Sequence, residues 1–390
     1  MPSARLSRPG LPFAPGLGHK PPMGEPLPSG ASDQPRGPQT RCATLPKSVA
    51  RVVLALFIVA LFLGLPGSVG PGPQTASWPG DTALYRAVIV RLRKGESYEP
   101  AAVAEMRARH FQMRPFLVVR PPALEVMLSW APNDRAPAIA QALLALCVLV
   151  AWMFRLRDAL PGPWGLAWTG LAVSTGVIAG MIGGEAPLFH EEWAGLLIAL
   201  SLALRTDRRF AVAVGLGLLA ALIRELAIPY LLVMAAFAGM EKRWRESAAF
   251  GAALAASILA LAVHAGAVNA LLTSQDQASR HWMGFAGWPL ITAANSWNLI
   301  AVLFGPWLRA FIFPLALIGA LGWKDRRLIV LLAGFAAGFM VIGRLENYYW
   351  GLIITPLVGV GLALTPPALR DLWRAARPPA LSTPATRAHM

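Results

Sequence analysis

The chain has 390 residues, of which 56% are hydrophobic and only 14% charged, with a mean hydropathy of +0.52. A soluble domain carries about a quarter charged residues, so an ordinary water-soluble enzyme is excluded, and the apolar runs leave no length for a separate soluble catalytic domain. The net charge of +15 does not argue for nucleic acid: the Arg and Lys residues collect in short loops, and no nucleic-acid fold or basic-aromatic motif accompanies them.

Residues 1–48 are rich in Pro, Gly, Ser and Arg and have almost no apolar periodicity. Such a segment buries too little surface to offset its ordering entropy, and reads as a disordered tail held in the cytoplasm by Arg5, Arg8, Lys20, Arg36, Arg41 and Lys47. The apolar run from Arg51 to Gly70 lacks a convincing cleavage site and reads as a retained signal anchor. Cys42 and Cys147 are single cysteines in a tail and a span, and the six histidines show no ligand spacing.

A loop of 65 residues follows, 71–135. Leu84, Val88 and Leu92 recur at helical spacing from Thr82 to Lys94, with Arg91, Arg93 and Lys94 suiting the C-terminal dipole and Gly95 ending the helix. A second helix, Pro100 to Gln112, carries Glu105 and Arg109 four residues apart. Both read as helices lying in the headgroup plane with their apolar side down. Arg120-Pro121-Pro122 breaks the chain before a further interfacial segment, Ala123 to Trp130.

Nine more spans follow: Ala136–Phe154, Trp164–Ile182, Trp193–Leu204, Phe210–Ile223, Leu226–Met240, Ser247–Val268, Pro306–Trp323, Leu328–Ile342 and Tyr349–Leu364. With the anchor these make about ten, some shorter than the roughly 20 residues of a perpendicular span. The loops expected inside hold eleven basic residues: Arg155, Arg157, Arg205, Arg208, Arg209, Lys242, Arg243, Arg245, Lys324, Arg326 and Arg327. The short loops expected outside hold three, Arg224, Arg280 and Arg344. That alternation predicts both termini in the cytoplasm of a multi-pass protein of the cell (inner) membrane. It also argues against a span at Pro289–Phe304, which would push Lys324 to Arg327 outside, so that stretch reads as re-entrant or interfacial. The first loop carries nine basic residues, which loops beyond about 60 residues tolerate. The expected fold is therefore all-α: a polytopic transmembrane bundle over 49–365, a long first extracytoplasmic loop with in-plane amphipathic helices, and a cytoplasmic tail over 366–390.

On this topology the outer face receives Asp81, Glu185, His190, Glu191, Glu192, Arg224, Glu225, Arg280, His281, Arg344, Glu346 and Asn347. Each has a structural alternative. Asp81 is placed to cap a helix, and Tyr85, one turn on, to join the aromatic belt. Glu191 and Glu192 suit a helix N-terminus. Arg224 and Glu225 could close a tight turn as an ion pair, Arg344 could anchor the last span, and His190 and His281 could be solvated. The functional reading rests on their convergence at one face. Arg309 is the one charge placed inside a span.

Gly80-Asp81-x-x-x-Tyr85, Lys94-Gly95-Glu96-Ser97-Tyr98, Arg120-Pro121-Pro122, Glu191-Glu192-Trp193 and Arg344-x-Glu346-Asn347-Tyr348-Tyr349-Trp350, together with the long first loop, resemble the GT-C superfamily of membrane glycosyltransferases. The likeness covers the layout of residues 50–365. It implies an integral-membrane transferase that takes sugar, a hexose or pentose, from a polyprenyl-phosphate-linked donor. The acceptor would be a lipid, glycan or protein, reached at the extracytoplasmic face. It implies that Asp81 is the catalytic base of an inverting reaction or a ligand of a divalent cation such as Mg or Mn. Many members carry an acidic pair here, whereas Asp81 is followed by Thr82. Tyr85, His190, Glu191, Glu192, Arg224, Glu225, Arg280, His281, Arg344, Glu346, Asn347 and Tyr348 are then the substrate-binding candidates, with the arginines suited to a departing phosphate. The competing readings are a lipid or solute transporter, which would show internal repeats and mid-span breaks, and a lipid-linked glycan ligase or polymerase.

Overall fold

The computed structural model describes residues 40–67, 78–181, 185–206, 208–279 and 284–377, and these are helical, with fifteen α-helices among them. In chain order they are α1 (Lys47–Gly67), α2 (Trp78–Arg93), α3 (Tyr98–Ala108), α4 (Ala123–Ser129), α5 (Ala136–Leu156), α6 (Gly162–Val177), α7 (His190–Leu204) and α8 (Phe210–Ile223). They continue with α9 (Ile228–Met240), α10 (Trp244–Leu271), α11 (Gly287–Ala294), α12 (Leu299–Phe304), α13 (Arg309–Gly322), α14 (Arg327–Ile342) and α15 (Gly351–Ala376). Each of the ten apolar runs in the sequence corresponds to one helix. Four stretches are long and apolar enough to cross a membrane: Lys47–Gly64, Ala136–Leu156, Trp244–Leu271 and Leu345–Ala376. Phe210–Ile223, Glu225–Met240, Pro306–Gly322 and Arg327–Ile342 are apolar but shorter.

The helices of the rim expose large apolar side chains, among them Leu56, Phe62 and Leu63 on α1, Ile139, Leu143 and Phe154 on α5, and Leu259 and Val263 on α10. Contiguous apolar surface of this kind marks contact with lipid or another protein. The centre is α15, which is buried from Gly351 to Thr365. Its neighbours come close through glycine. A Cβ on Gly319 of α13 would stand 1.9 Å from the Gly361 carbonyl oxygen, and one on Gly195 of α7 would stand 2.4 Å from that of Leu352. Small residues allow such approach where packing rather than water drives association. Gly319→Ala is therefore expected to lower stability in detergent by about 1–3 kcal/mol, the usual cost of overpacking, read as a drop in melting temperature.

Pro289–Phe304 is two short helices, α11 and α12, parted by a 3-10 turn at Asn295–Trp297. At about 1.5 Å per residue neither approaches membrane thickness. The break between α8 and α9 falls at Arg224, whose backbone is extended.

Several boundaries differ from the sequence reading. Residues 40–48 are not tail: Arg41–Thr44 form a 3-10 turn, Cys42 is fully buried with Ala50, Ile318, Ala368 and Leu372, and the Thr40 N–H donates to Asp371 at 2.9 Å. The same packing keeps α15 helical to Ala376, so residues 366–376 belong to the bundle. In the first loop, Leu84 and Val88 do not form an apolar underside; they are buried against Tyr98, Ala101, Ala102 and Met106 of α3 and Val268 of α10. Periodicity reveals an apolar face but not whether protein or lipid covers it. Gly95 does end the first of these helices, at φ +89°.

The first loop is tied down at its far end. Arg107 donates Nε and Nη2 to the two carboxylate oxygens of Asp276, each at 2.8 Å, and the Met113 N–H donates to the Gln277 carbonyl at 2.9 Å. At the opposite end of the bundle the basic loops interlock with acids. Arg205 pairs with Glu246 at 2.6 Å and Glu241 at 3.0 Å, Arg327 with Glu241 at 2.6 Å, and Arg155 with Asp325 at 3.4 Å. α7 thus carries His190, Glu191 and Glu192 at one end and Arg205 just past the other, so the two groups of charge lie at opposite ends of the bundle.

Candidate active site

α2 begins at Trp78, three residues before Asp81, so this carboxylate lies in the first helical turn rather than at the cap. It lines a cavity of about 150 Å³ together with Tyr85, Tyr98, Arg120, Glu125 and Tyr349. Leu84, Val88, Ala102, Met106, Phe111, Val118 and Val119 supply the apolar wall. Most of the cavity is made by the first loop, α2 to α4, and Tyr349 closes it from the turn that leads into α15.

Arg120 is the cation in this hollow. Its Nε donates to the Tyr85 hydroxyl at 3.4 Å and its Nη2 to the Tyr349 hydroxyl at 3.1 Å, while Nη2 lies 4.0 Å from Glu191. The Tyr98 hydroxyl donates to the Arg120 carbonyl at 2.9 Å and fixes the backbone before Pro121-Pro122. Behind Arg120 a chain of alternating charge enters the bundle. Arg224 donates Nε to Glu191 at 2.7 Å and also pairs with Glu225. Arg224 and Glu191 are 1% and 4% exposed, so this pair is sealed from water.

Glu125 and His190 form a second buried pair, Nε2 to carboxylate at 3.1 Å, each 1% exposed. The Tyr85 ring meets the His190 ring edge-on, centroids 5.2 Å apart. Burial is the largest influence on Asp81 and raises its pKa; the Arg120 charge pulls it down and the Glu191 charge pushes it up. Burial likewise holds the Tyr85 phenol protonated, so Tyr85 is available as a donor.

The structure thus unites some of the residues expected at the site and disperses others. Asp81 and Tyr85 are in the cavity. His190 is not a solvated loop residue but a buried one, because α7 begins at it and Glu125 faces it. Glu191 steadies Arg120 and Arg224 from behind. Glu192 is 1% exposed beneath Gly180, where a Cβ would fall 2.0 Å from its carboxylate. Arg224 and Glu225 are consumed by each other and by Glu191, so Arg224 does not face the cavity. Arg344 pairs with Glu346 at 3.1 Å, and the Asn347 side chain accepts from the Arg344 N–H at 2.9 Å. These three shape the turn before α15 and do not line the cavity. Tyr348 stacks on Trp297, 6.1 Å apart and 9° from parallel. Arg280 and His281 lie outside the described residues.

Four cavity residues had no role assigned from sequence: Tyr98, Arg120, Glu125 and Tyr349. The available signal was Arg120-Pro121-Pro122, a charge held in a rigid bend after the apolar residues Phe116–Val119. Among the described residues no three of His, Cys, Asp and Glu converge as a metal-ligand set, and the charge nearest Asp81 in effect is a guanidinium. A divalent cation is thus poorly suited to this donor set. Compared with protein-family models, curated proteins and solved structures, the chain matches none.

Proposed function

We propose that the chain is a ten-span protein of the cell membrane with both termini cytoplasmic. In this reading it is a GT-C-like glycosyltransferase that moves a sugar from a polyprenyl-phosphate donor to a lipid, glycan or protein acceptor at the extracytoplasmic face. The observation that carries the reading is that Asp81 and Arg120 share one small cavity with three tyrosines and a second carboxylate. A cavity of about 150 Å³ holds one six-membered ring. Aromatic walls with hydroxyl, carboxylate and guanidinium groups suit a polyol.

In this mechanism Asp81 takes the proton of the acceptor hydroxyl as its oxygen bonds to the anomeric carbon. The bond from that carbon to the phosphate oxygen breaks on the opposite face, its electrons leave with the phosphate, and the configuration inverts. Arg120, fixed by Tyr85 and Tyr349, offers its charge to the departing phosphate. Glu191 and Arg224 hold Arg120 in place without touching substrate.

The base works only when ionised, so transfer should fall as pH drops through the lifted Asp81 pKa. The acid limb of the rate profile should lie above the ordinary carboxylate range. Arg120→Gln removes the charge that lowers this pKa, so the limb should move to higher pH as well as the rate falling; an unmoved limb would separate Arg120 from Asp81. The broader test is the glycolipid profile of cells with and without the gene. Loss of one sugar from an envelope lipid or glycan supports transfer, and an unchanged profile argues for transport or scaffolding instead.

A further inference from the structure

Arg309 opens α13, just after the Pro306–Leu308 turn, and is 7% exposed. Its Nε and Nη1 are enclosed and have no hydrogen-bond partner, and no carboxylate pairs with it among the described residues. A buried guanidinium without a counterion is costly, so its retention calls for an anion from elsewhere. The chain offers few candidates: residues 68–77, 182–184 and 280–283 contain no acid, and outside the described residues only Glu25, Asp33 and Asp207 are acidic.

The surroundings specify the anion's chemistry. Asn295 donates Nδ2 to the Arg309 carbonyl at 2.9 Å, which holds the Asn295–Trp297 turn against the start of α13. Ser296, in that turn, is 3% exposed and its Oγ is also without a partner. Tyr348 stacks on Trp297 of the same turn. A guanidinium with a hydroxyl group at a helix N-terminus suits a phosphate. The segment leading into Arg309 bares large apolar side chains: Leu303 is 64% exposed, Phe304 66% and Trp307 56%. A free phosphate gains nothing from that surface, whereas a phosphate attached to hydrocarbon does.

We propose that Arg309 seats the phosphate of an anionic membrane lipid, with Ser296 as hydroxyl donor and Leu303, Phe304 and Trp307 as the bed for the lipid chain. Arg309 does not line the Asp81 cavity, and the proposal stands whether or not the chain transfers sugar.

The test uses the full chain in phosphatidylcholine nanodiscs, titrated with phosphatidylglycerol and followed by native mass spectrometry and melting temperature. Phosphatidylglycerol should bind and raise the melting temperature. Arg309→Gln should weaken that binding at least about tenfold, the scale of a lost charge-assisted hydrogen bond, yet melt no lower in pure phosphatidylcholine. Ser296→Ala should weaken it less. Undiminished lipid binding by Arg309→Gln would overturn the proposal, as would an equal loss of melting temperature with and without phosphatidylglycerol. Inorganic phosphate matching the lipid at equal concentration would also overturn it, since the apolar bed would then count for nothing. If Arg309→Gln fails to fold, the native chain decides: no stabilisation by phosphatidylglycerol over phosphatidylcholine defeats the idea.

Discussion

Asp81→Asn should reduce sugar transfer by about 10² to 10⁴, the contribution of a well-placed general base, while leaving the fold intact. The reason lies in the sign of its pKa shift. Burial lifts the Asp81 pKa, so folding disfavours the ionised form. The carboxyl helps stability most below its ordinary range, and that help is lost as pH rises through the lifted value. At neutral pH the amide is thus expected to melt at the same temperature as the native chain or slightly higher. A variant that is folded, no less stable and inactive is the signature sought. Full activity of purified Asp81→Asn in proteoliposomes with a polyprenyl-phosphate-linked sugar would remove the residue from the chemistry. The loss should appear in kcat with little change in KM, because a base acts in the transition state more than in binding.

The second large effect is one of stability. Arg224→Met leaves Glu191 buried, with Arg120 at 4.0 Å as its remaining cation. Removing one partner of a sealed ion pair costs about 3–5 kcal/mol. Replacing both, as Glu191→Leu with Arg224→Met, should recover part of this, because the sealed Glu191 charge is no longer stranded, while Glu225 still loses its cation. Melting curves of the two single variants and the double variant in detergent check the pattern. Additive losses would mean that the two side chains do not depend on each other. Because Glu191 also steadies Arg120, the double variant should regain stability without regaining full activity.

Much of the helical layout was legible from residues. Arginine clusters between apolar runs marked the helix ends, and the count of basic residues kept Pro289–Phe304 from being read as a span. The structure breaks that stretch at Asn295–Trp297. Arg224-Glu225 likewise interrupts α8 and α9 where two charges stand together in a greasy stretch. Asp81 and Tyr85 were legible because they share a face, one turn apart.

What could not be read was who faces whom. Arg224 looked like a cation free for phosphate, but Glu191, 33 residues earlier in the chain, claims it across a helix hairpin. Arg120 looked like a loop residue beside two prolines, and its place depends on Tyr349, 229 residues later. Glu125 sat on a short apolar segment with no partner in view until α7 brought His190 to it. Local spacing reports helical faces; it is blind to pairings that only the assembled bundle creates.

The position of α15 has a consequence for biosynthesis. It is the column on which α6, α7 and α13 pack, yet it follows every other described helix in the chain. The earlier helices therefore leave the ribosome before their shared support exists, and the tyrosine that closes the Asp81 cavity arrives with it. A product cut short before Tyr349 would have neither a centre nor a finished chamber. Quality control would meet it as an unassembled set of hairpins rather than as a weakened enzyme.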